Sequence, residues 1–297
     1  MHDDFIPDAF MHAFETRFGK NKQAVRIFRA PARINLIGEH IDYNGGKVFP
    51  AAIDRYLSMA IRPRNDAEIH IQNLEIGGNT ILETFSFSEK PENTSWISYL
   101  RGVYHFLFGN KVPDHGFDAL FTSNVPMGAG VSSSAALELC FAFGLSKLYN
   151  APASLLDLVR LSQKAEHEYA GVHCGIMDQY AVAFGKKDQA MLLDTATCTH
   201  EYAPVKLTDY VIMLINTNKP RSLADSKYNE RLAECMKGLA QLKQVSGLAS
   251  IQHLCDLSPE QFETNKSALA DPVLQKRVRH CVYENRRVLD SAEVLKQ

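Results

Sequence analysis

The sequence has no excess of charge of either sign: 32 Lys and Arg stand against 34 Asp and Glu, a formal net charge of −2. That balance argues against a nucleic-acid or anionic-membrane partner held by bulk electrostatics. There is no run approaching the roughly 18 apolar residues of a membrane span, and the start, Met1-His2-Asp3-Asp4, is acidic rather than basic. Neither a secretory signal nor an anchor is therefore expected, and the expected compartment is the cytoplasm. The six cysteines, Cys140, Cys174, Cys198, Cys235, Cys255 and Cys281, form no C-x-x-C pair and lie at irregular intervals, so they read as reduced thiols. Internal repeats and low-complexity tracts are also missing. What remains is an ordinary globular composition, 45% apolar and 22% charged over 297 residues. That length suggests about two domains, each able to bury its own core.

Hydrophobic spacing predicts the elements. Phe5, Phe10, Phe14 and Phe18 fall close to helical spacing, and strands are expected over 47–62, 69–71, 117–122, 190–193 and 211–216. From Ser132 to Tyr149 the only charges are Glu138 and Lys147, with apolar residues all round, which places that helix inside the protein. Residues 155–169 and 224–244 read as amphipathic helices. Strands alternating with helices indicate an α/β or α+β chain, and a domain boundary is expected near residue 205. The last helix carries a seam of Leu274, Val278, Cys281, Asn285, Val288, Ala292 and Leu295. No Gly or Pro stop follows that seam, so the reading is that it still needs a partner, with a short coiled coil as the alternative.

Four segments carry chemistry. Pro126 to Ala136 (PMGAGVSSSAA) joins an expected strand to the buried helix. Its glycines let backbone N–H groups converge, the helix start adds positive potential, and serine hydroxyls can reach a phosphate or its metal. No Gly-Lys-Ser/Thr follows, so it is not a Walker A loop. A plain glycine turn is the alternative. Ala30 to Gly46 places Glu39, His40, Asp42, Tyr43 and Asn44 before a Gly-Gly turn, either as a polar hairpin loop or as a site for hydroxyl groups. No second histidine cluster completes a metal site there. Glu166 shares the inward face of its helix with Leu155 and Val159, so it needs a cation, whether a side chain or a metal. Asp178, at the start of an apolar segment, is either a helix N-cap or a general base.

Arg33-Ile34-Asn35-Leu36-Ile37-Gly38-Glu39-His40-Ile41-Asp42-Tyr43 resembles the galactokinase signature, and Pro126 to Ala135 resembles the phosphate loop of the wider GHMP small-molecule kinases. Glu166-His167 and Gly175-Ile176-Met177-Asp178-Gln179 stand in the galactokinase order. The resemblance implies a two-domain GHMP-kinase fold of the α+β class. It has an N-terminal mixed-sheet α/β domain (ribosomal S5 domain 2-like) over 1–205 and an incomplete C-terminal α+β domain over 206–297. It also implies transfer of the ATP γ-phosphate to the C1 hydroxyl of α-D-galactose, with Mg²⁺. Asp178 would take the hydroxyl proton, and Arg33 would hold that carboxylate ionised and steady the moving phosphoryl charge. Glu39, His40, Asp42, Gly175 and Tyr228 match sugar-binding positions. Gly128, Ala129, Gly130, Ser132, Ser133 and Ser134 would cradle the phosphates, and Ser134 with Glu166 would serve Mg²⁺. The expected partners are galactose and ATP alone, with no nucleic acid or membrane, acting on a monomer.

Two departures from the family pattern accompany this. Ala32 stands where the family usually has Gly, tolerable only at negative φ. The family's third, Gly-rich motif is absent, which reads as a truncated chain with an exposed second-domain seam and little turnover. A galactose- and ATP-binding regulator without appreciable catalysis, or an inactive fragment, is the alternative function.

Overall fold

A computed structural model describes residues 7–74, 80–84, 95–109, 111, 113–126, 128–205, 207–217 and 227–295. The chain forms two compact units that interleave in sequence. The first comprises 1–32 with 53–170, the second 33–52 with 171–297. The sequence reading instead divided the chain once, near 205. Periodicity reports local elements, whereas the units follow from which elements pack after the chain returns.

In the first unit, helix α1 (Pro7–Phe18) buries Phe10 and Phe14 against Ala60 and Leu120; Phe5 lies outside the described residues. Strands β1 (Arg26–Asn35) and β3 (Pro50–Pro63) contribute residues to both units. The distal part of β3 pairs antiparallel with β6 (Phe117–Ser123), from Leu57 opposite Ser123 to Pro63 opposite Phe117. Parallel to β6 runs β4 (Ile69–Leu74), which in turn pairs antiparallel with β5 (Thr80–Thr84). The β3–β6 register sets Arg62 beside Asp118, both 2% exposed. Arg62 Nη2 donates to Asp118 at 2.7 Å and, with Nη1, to the carbonyls of Phe18 and Gly19, which ties the end of α1 to the sheet. Helices α2 (Trp96–Phe108), α3 (Ser133–Leu148) and α4 (Leu155–Tyr169) complete this unit. As its all-round apolar surface demands, α3 is buried along most of its length. Gly102 of α2 lets α4 approach, since a Cβ there would lie 2.7 Å from that of Ala165.

The second unit pairs β2 (Lys47–Val48) with β7 (Gln189–Asp194), and β7 with β8 (Thr199–Pro204), both antiparallel. Helix α5 (Met177–Phe184) precedes β7, and α6 (Lys227–Leu242), α7 (Pro259–Asn265) and α8 (Pro272–Leu295) follow β8. The expected helix over 224–244 is present from Lys227, its first three positions lying outside the described residues.

Two expectations fail here. The seam of α8 is not left bare: Leu274, Val278, Cys281, Val288 and Ala292 are all buried, packed on α6, α7, β2 and the short turn Leu254–Asp256, and only Leu295 is exposed. The partner is an earlier helix of the same chain, which pattern analysis along one helix cannot see. The expected strand at 211–216 is also not formed. These residues form no regular element and have no ladder partner among the described strands, and Tyr210, Val211, Met213 and Ile215 are each at least 75% exposed. β-propensity expresses itself only against a neighbouring strand. Finally, no described helix is long and apolar enough to cross a membrane, and all six cysteines are free thiols.

Candidate functional site

The sequence-selected residues fall into two groups, one in each unit. In the second unit, β1 ends by carrying Arg33, 9% exposed, to the first turn of α5. Its Nε and Nη2 donate to the same oxygen, Oδ1 of Asp178, at 2.9 and 2.7 Å. The N-cap of α5 is Ile176, not Asp178. The carboxylate is thus held by a guanidinium at the positive end of a helix.

Past Arg33, the chain turns through Gly38 and His40, both at positive φ (107° and 64°), into a single 3-10 turn, Asp42–Asn44, ended by left-handed Gly45. A non-Gly residue at positive φ stores backbone strain of the kind found at binding sites. His40 Nδ1 shares a 2.8 Å hydrogen bond with the Tyr43 hydroxyl. The His40, Tyr43 and Tyr228 rings form a cluster with centroids 5.2–6.0 Å apart. Burial, followed by the nearby charge of Arg231, pushes the His40 imidazole down to about 4, so it is neutral at pH 7. Tyr228, on α6, accepts a hydrogen bond from the Gly175 amide at 3.3 Å. Any Cβ at Gly175 would overlap the Asp42 carboxylate, so the absence of a side chain at 175 is what admits Asp42. Burial, then the neighbouring Asp178 charge, pushes Asp42 up to about 7, against the opposing pull of the Tyr43 amide and Arg33. Glu39 is exposed and accepts from Asn35 Nδ2 at 3.0 Å. Ala32 is fully buried and not among the positive-φ residues, so its methyl is accommodated without strain.

In the first unit, Gly128 and Gly130 take positive φ (71° and 73°), and Ser132, the N-cap of α3, is left-handed as well (φ 61°) with no side-chain cap. Met127 lies outside the described residues. A Cβ at either glycine would meet nothing within 4 Å, so glycine is needed for the backbone turn and not for space. Ala129 lies between them, and Ser133 and Ser134 open the helix. Ser134 Oγ donates to Glu166 Oε1 at 3.3 Å, and Glu166 is 5% exposed on α4, as its helical phase implies. Among the described residues no cluster of three or more His, Cys, Asp or Glu is placed to hold a metal alone. A hydroxyl and one buried carboxylate nevertheless fit Mg²⁺, a hard ion that takes most of its remaining ligands from phosphates and water. A cleft of about 650 Å³ beside Phe106, His115, Tyr149 and Leu161 contains none of these residues.

The galactokinase galactose-binding signature matches residues 12–63, and the GHMP kinases N terminal domain matches 98–186. A curated galactokinase of Clostridium beijerinckii is 41% identical over 280 residues, covering 93% of this chain and 71% of the relative. This chain belongs to the galactokinase family. The crystal structure of Lactococcus lactis galactokinase complexed with galactose superposes with a TM-score of 0.88 at 40% identity, over 97% of this chain and 74% of that one. A Methanococcus jannaschii mevalonate kinase, 17% identical with a TM-score of 0.55, shares the fold. The expected GHMP-kinase fold is therefore present, and the family is one of ATP-dependent sugar kinases.

Sequence reasoning missed the residues that brace the galactokinase-signature loop from outside. Glu284, on α8, accepts from the Gly38 amide at 2.8 Å while only 5% exposed. The available signal was a charged residue three positions after Cys281 and four before Val288, on the inward face.

Proposed function

We propose that this chain transfers the γ-phosphoryl group of ATP to the C1 hydroxyl of α-D-galactose. The observation that carries this reading is the juxtaposition in one unit of the Arg33–Asp178 pair with the Asp42–Gly175–Tyr228 cluster. Asp42 and Glu39 can accept hydrogen bonds from adjacent sugar hydroxyls, neutral His40 can contribute one more, and the Tyr43 and Tyr228 rings offer apolar faces. Asp178 is the group to orient the C1 hydroxyl and receive its proton at the carboxylate, while Arg33 fixes that carboxylate and offers positive charge to the transferring phosphoryl.

Binding of the ATP phosphates falls to the other unit, to the backbone amides around Gly128, Ala129 and Gly130, with Ser132 and Ser133 at the start of α3. Ser134 and Glu166 would hold Mg²⁺, which supplies charge neutralisation at the phosphates when bound. The acceptor and donor functions thus belong to different units of the chain.

Galactose binding by calorimetry, set beside galactose-dependent ADP release, tests this. Saturable binding with turnover is the expected outcome. Binding of galactose and ATP without ADP release supports the regulator reading instead, and no binding of galactose refutes the site.

A further inference from the structure

The segment from Gly38 to Lys47 holds Glu39, His40, Asp42 and Tyr43 in a backbone path with three left-handed residues, Gly38, His40 and Gly45. Within it, the amides of Asn44 and Gly46 donate to the Ile41 carbonyl at 2.9 Å, Asn44 Nδ2 donates to the His40 carbonyl at 3.0 Å, and His40 pairs with the Tyr43 hydroxyl; none of these bonds holds the Gly38 amide. A strained path persists only where its surroundings over-determine it, and in this unit helix α8 supplies much of the constraint. Three of its side chains take main-chain groups near the two ends of the segment. Glu284 Oε1 accepts the Gly38 amide at 2.8 Å, His280 Nε2 donates to the Glu39 carbonyl at 2.8 Å, and Asn285 Oδ1 accepts the Lys47 amide at 2.8 Å.

Each of these side chains is suited to the task. Glu284 Oε2 accepts from Arg287 Nε and Nη2 at 2.9 and 2.6 Å, so both carboxylate oxygens are fixed. Asn285 Nδ2 donates to the Cys255 carbonyl at 3.2 Å. Gly38 sits so close that a Cβ there would lie 3.2 Å from Val288 Cγ2. Helical spacing of four places 280, 284 and 288 in one row, and that row meets the segment at Gly38 and Glu39.

We infer that Glu284, assisted by His280 and Asn285, is a positioning residue for galactose binding. It acts through the Gly38 amide rather than on the sugar. It fixes the turn at Gly38 and so the direction in which Glu39, His40 and Asp42 leave the backbone. The inference rests on the reading that this segment holds the sugar.

The test compares Glu284→Ala, Glu284→Gln, His280→Ala and a control, Val278→Ala. Val278 is fully buried in the α8 seam and makes no hydrogen bond to the segment. Galactose Kd and ATP Kd are measured by calorimetry and Tm by thermal unfolding. Glu284→Ala leaves a buried donor unpaired and should weaken galactose about 5- to 100-fold. Glu284→Gln keeps an oxygen in place and should restore affinity to within about threefold, with ATP Kd unchanged throughout. Val278→Ala should lower Tm without altering galactose Kd.

Wild-type galactose affinity in Glu284→Ala overturns the inference, as does equal weakening by Val278→Ala, which would make the effect one of general stability. If Glu284→Ala does not fold, His280→Ala decides: a galactose Kd raised about threefold or more supports the inference, and an unchanged one overturns it. If the unmutated chain itself binds no galactose, the sugar-site reading fails first, which the same titration shows.

Discussion

In the proposed reading, the two units meet different recognition problems with different materials. The second assembles the residues proposed for the sugar from places far apart in sequence, so that Arg33 meets Asp178, Asp42 fills the space left by Gly175, and Tyr228 reaches back to the Gly175 amide. The first carries the residues proposed for the phosphates mainly in one uninterrupted stretch, 128–134, with left-handed glycines, serines and the start of a helix, to which Glu166 is the distant addition. A hexose presents hydroxyls in several directions, which requires side chains converging from several elements. Phosphates present symmetric negative charge, which a row of backbone amides at one helix end satisfies. The lesson is that chemistry asking for charge alone can be written locally, whereas chemistry asking for direction depends on the fold.

Variants of the acceptor side should break this comparison most strongly. Asp178→Ala is expected to lower kcat about 10²–10⁴-fold, the usual worth of a positioned base, with ATP affinity retained; near-normal kcat in the ADP-release assay would reduce Asp178 to a structural partner of Arg33. Next, Gly175→Ala forces a methyl into the Asp42 carboxylate. Overpacking of this kind costs about 1–3 kcal/mol, so galactose affinity measured by calorimetry should fall by about tenfold or more while ATP binding stays the same.

The titration of Asp42 sharpens the comparison with a graded effect. With its folded-state pKa near 7 and Arg33 nearby, bidentate acceptance of hydroxyls needs the ionised form. Galactose affinity should therefore fall as pH drops below 7, by about tenfold per unit at the limit, and Asp42→Asn should abolish the dependence. Linkage gives stability of the unliganded protein the opposite trend from this group. A carboxyl raised from 3.8 to about 7 lends stability that is fully present below about 4 and lost as pH rises through 7. Tm compared at pH 6 and pH 8, in the wild type and in Asp42→Asn, isolates that contribution. The terminal phosphate of ATP itself titrates over this range, so the contradicting result would be a pH dependence of ATP binding that differs between wild type and Asp42→Asn.

The smallest expected effect belongs to the phosphate side. Glu166→Gln keeps size and removes one charge beside Ser134. The Mg²⁺ concentration for half-maximal nucleotide binding should rise several-fold while galactose Kd is unchanged. A loss of Tm with unaltered Mg²⁺ dependence would identify Glu166 as a structural ion-pair member instead.

Much was legible before any coordinates. The all-round apolar run at 133–148 could only be an interior helix, and the glycines ahead of it signalled the tight turn that leads into that helix. The inward phase of Glu166 followed from counting along α4. Other features were not legible. The seam of α8 looked unpartnered because its partner, α6, lies more than thirty residues upstream, and Val211–Asn216 looked like a strand because alternation records what a segment could pair with, not whether a neighbour is present. Glu284 was missed although its helical phase pointed inward, because nothing along α8 showed that its partner is the Gly38 amide.

By itself, then, the sequence determined most of the local elements and the loop that turns into a helix N-terminus, because periodicity and turn chemistry act over a few residues. The sugar and nucleotide readings came instead from the resemblance of its motifs to those of the galactokinases. Only the tertiary structure decided that burial, with Asp178 close by, raises the proton affinity of Asp42, that Gly175 is empty for the sake of a carboxylate, and that a C-terminal helix holds the N-terminal signature loop in shape. Those facts depend on distances between residues more than a hundred positions apart, which chain order does not encode locally and packing alone fixes.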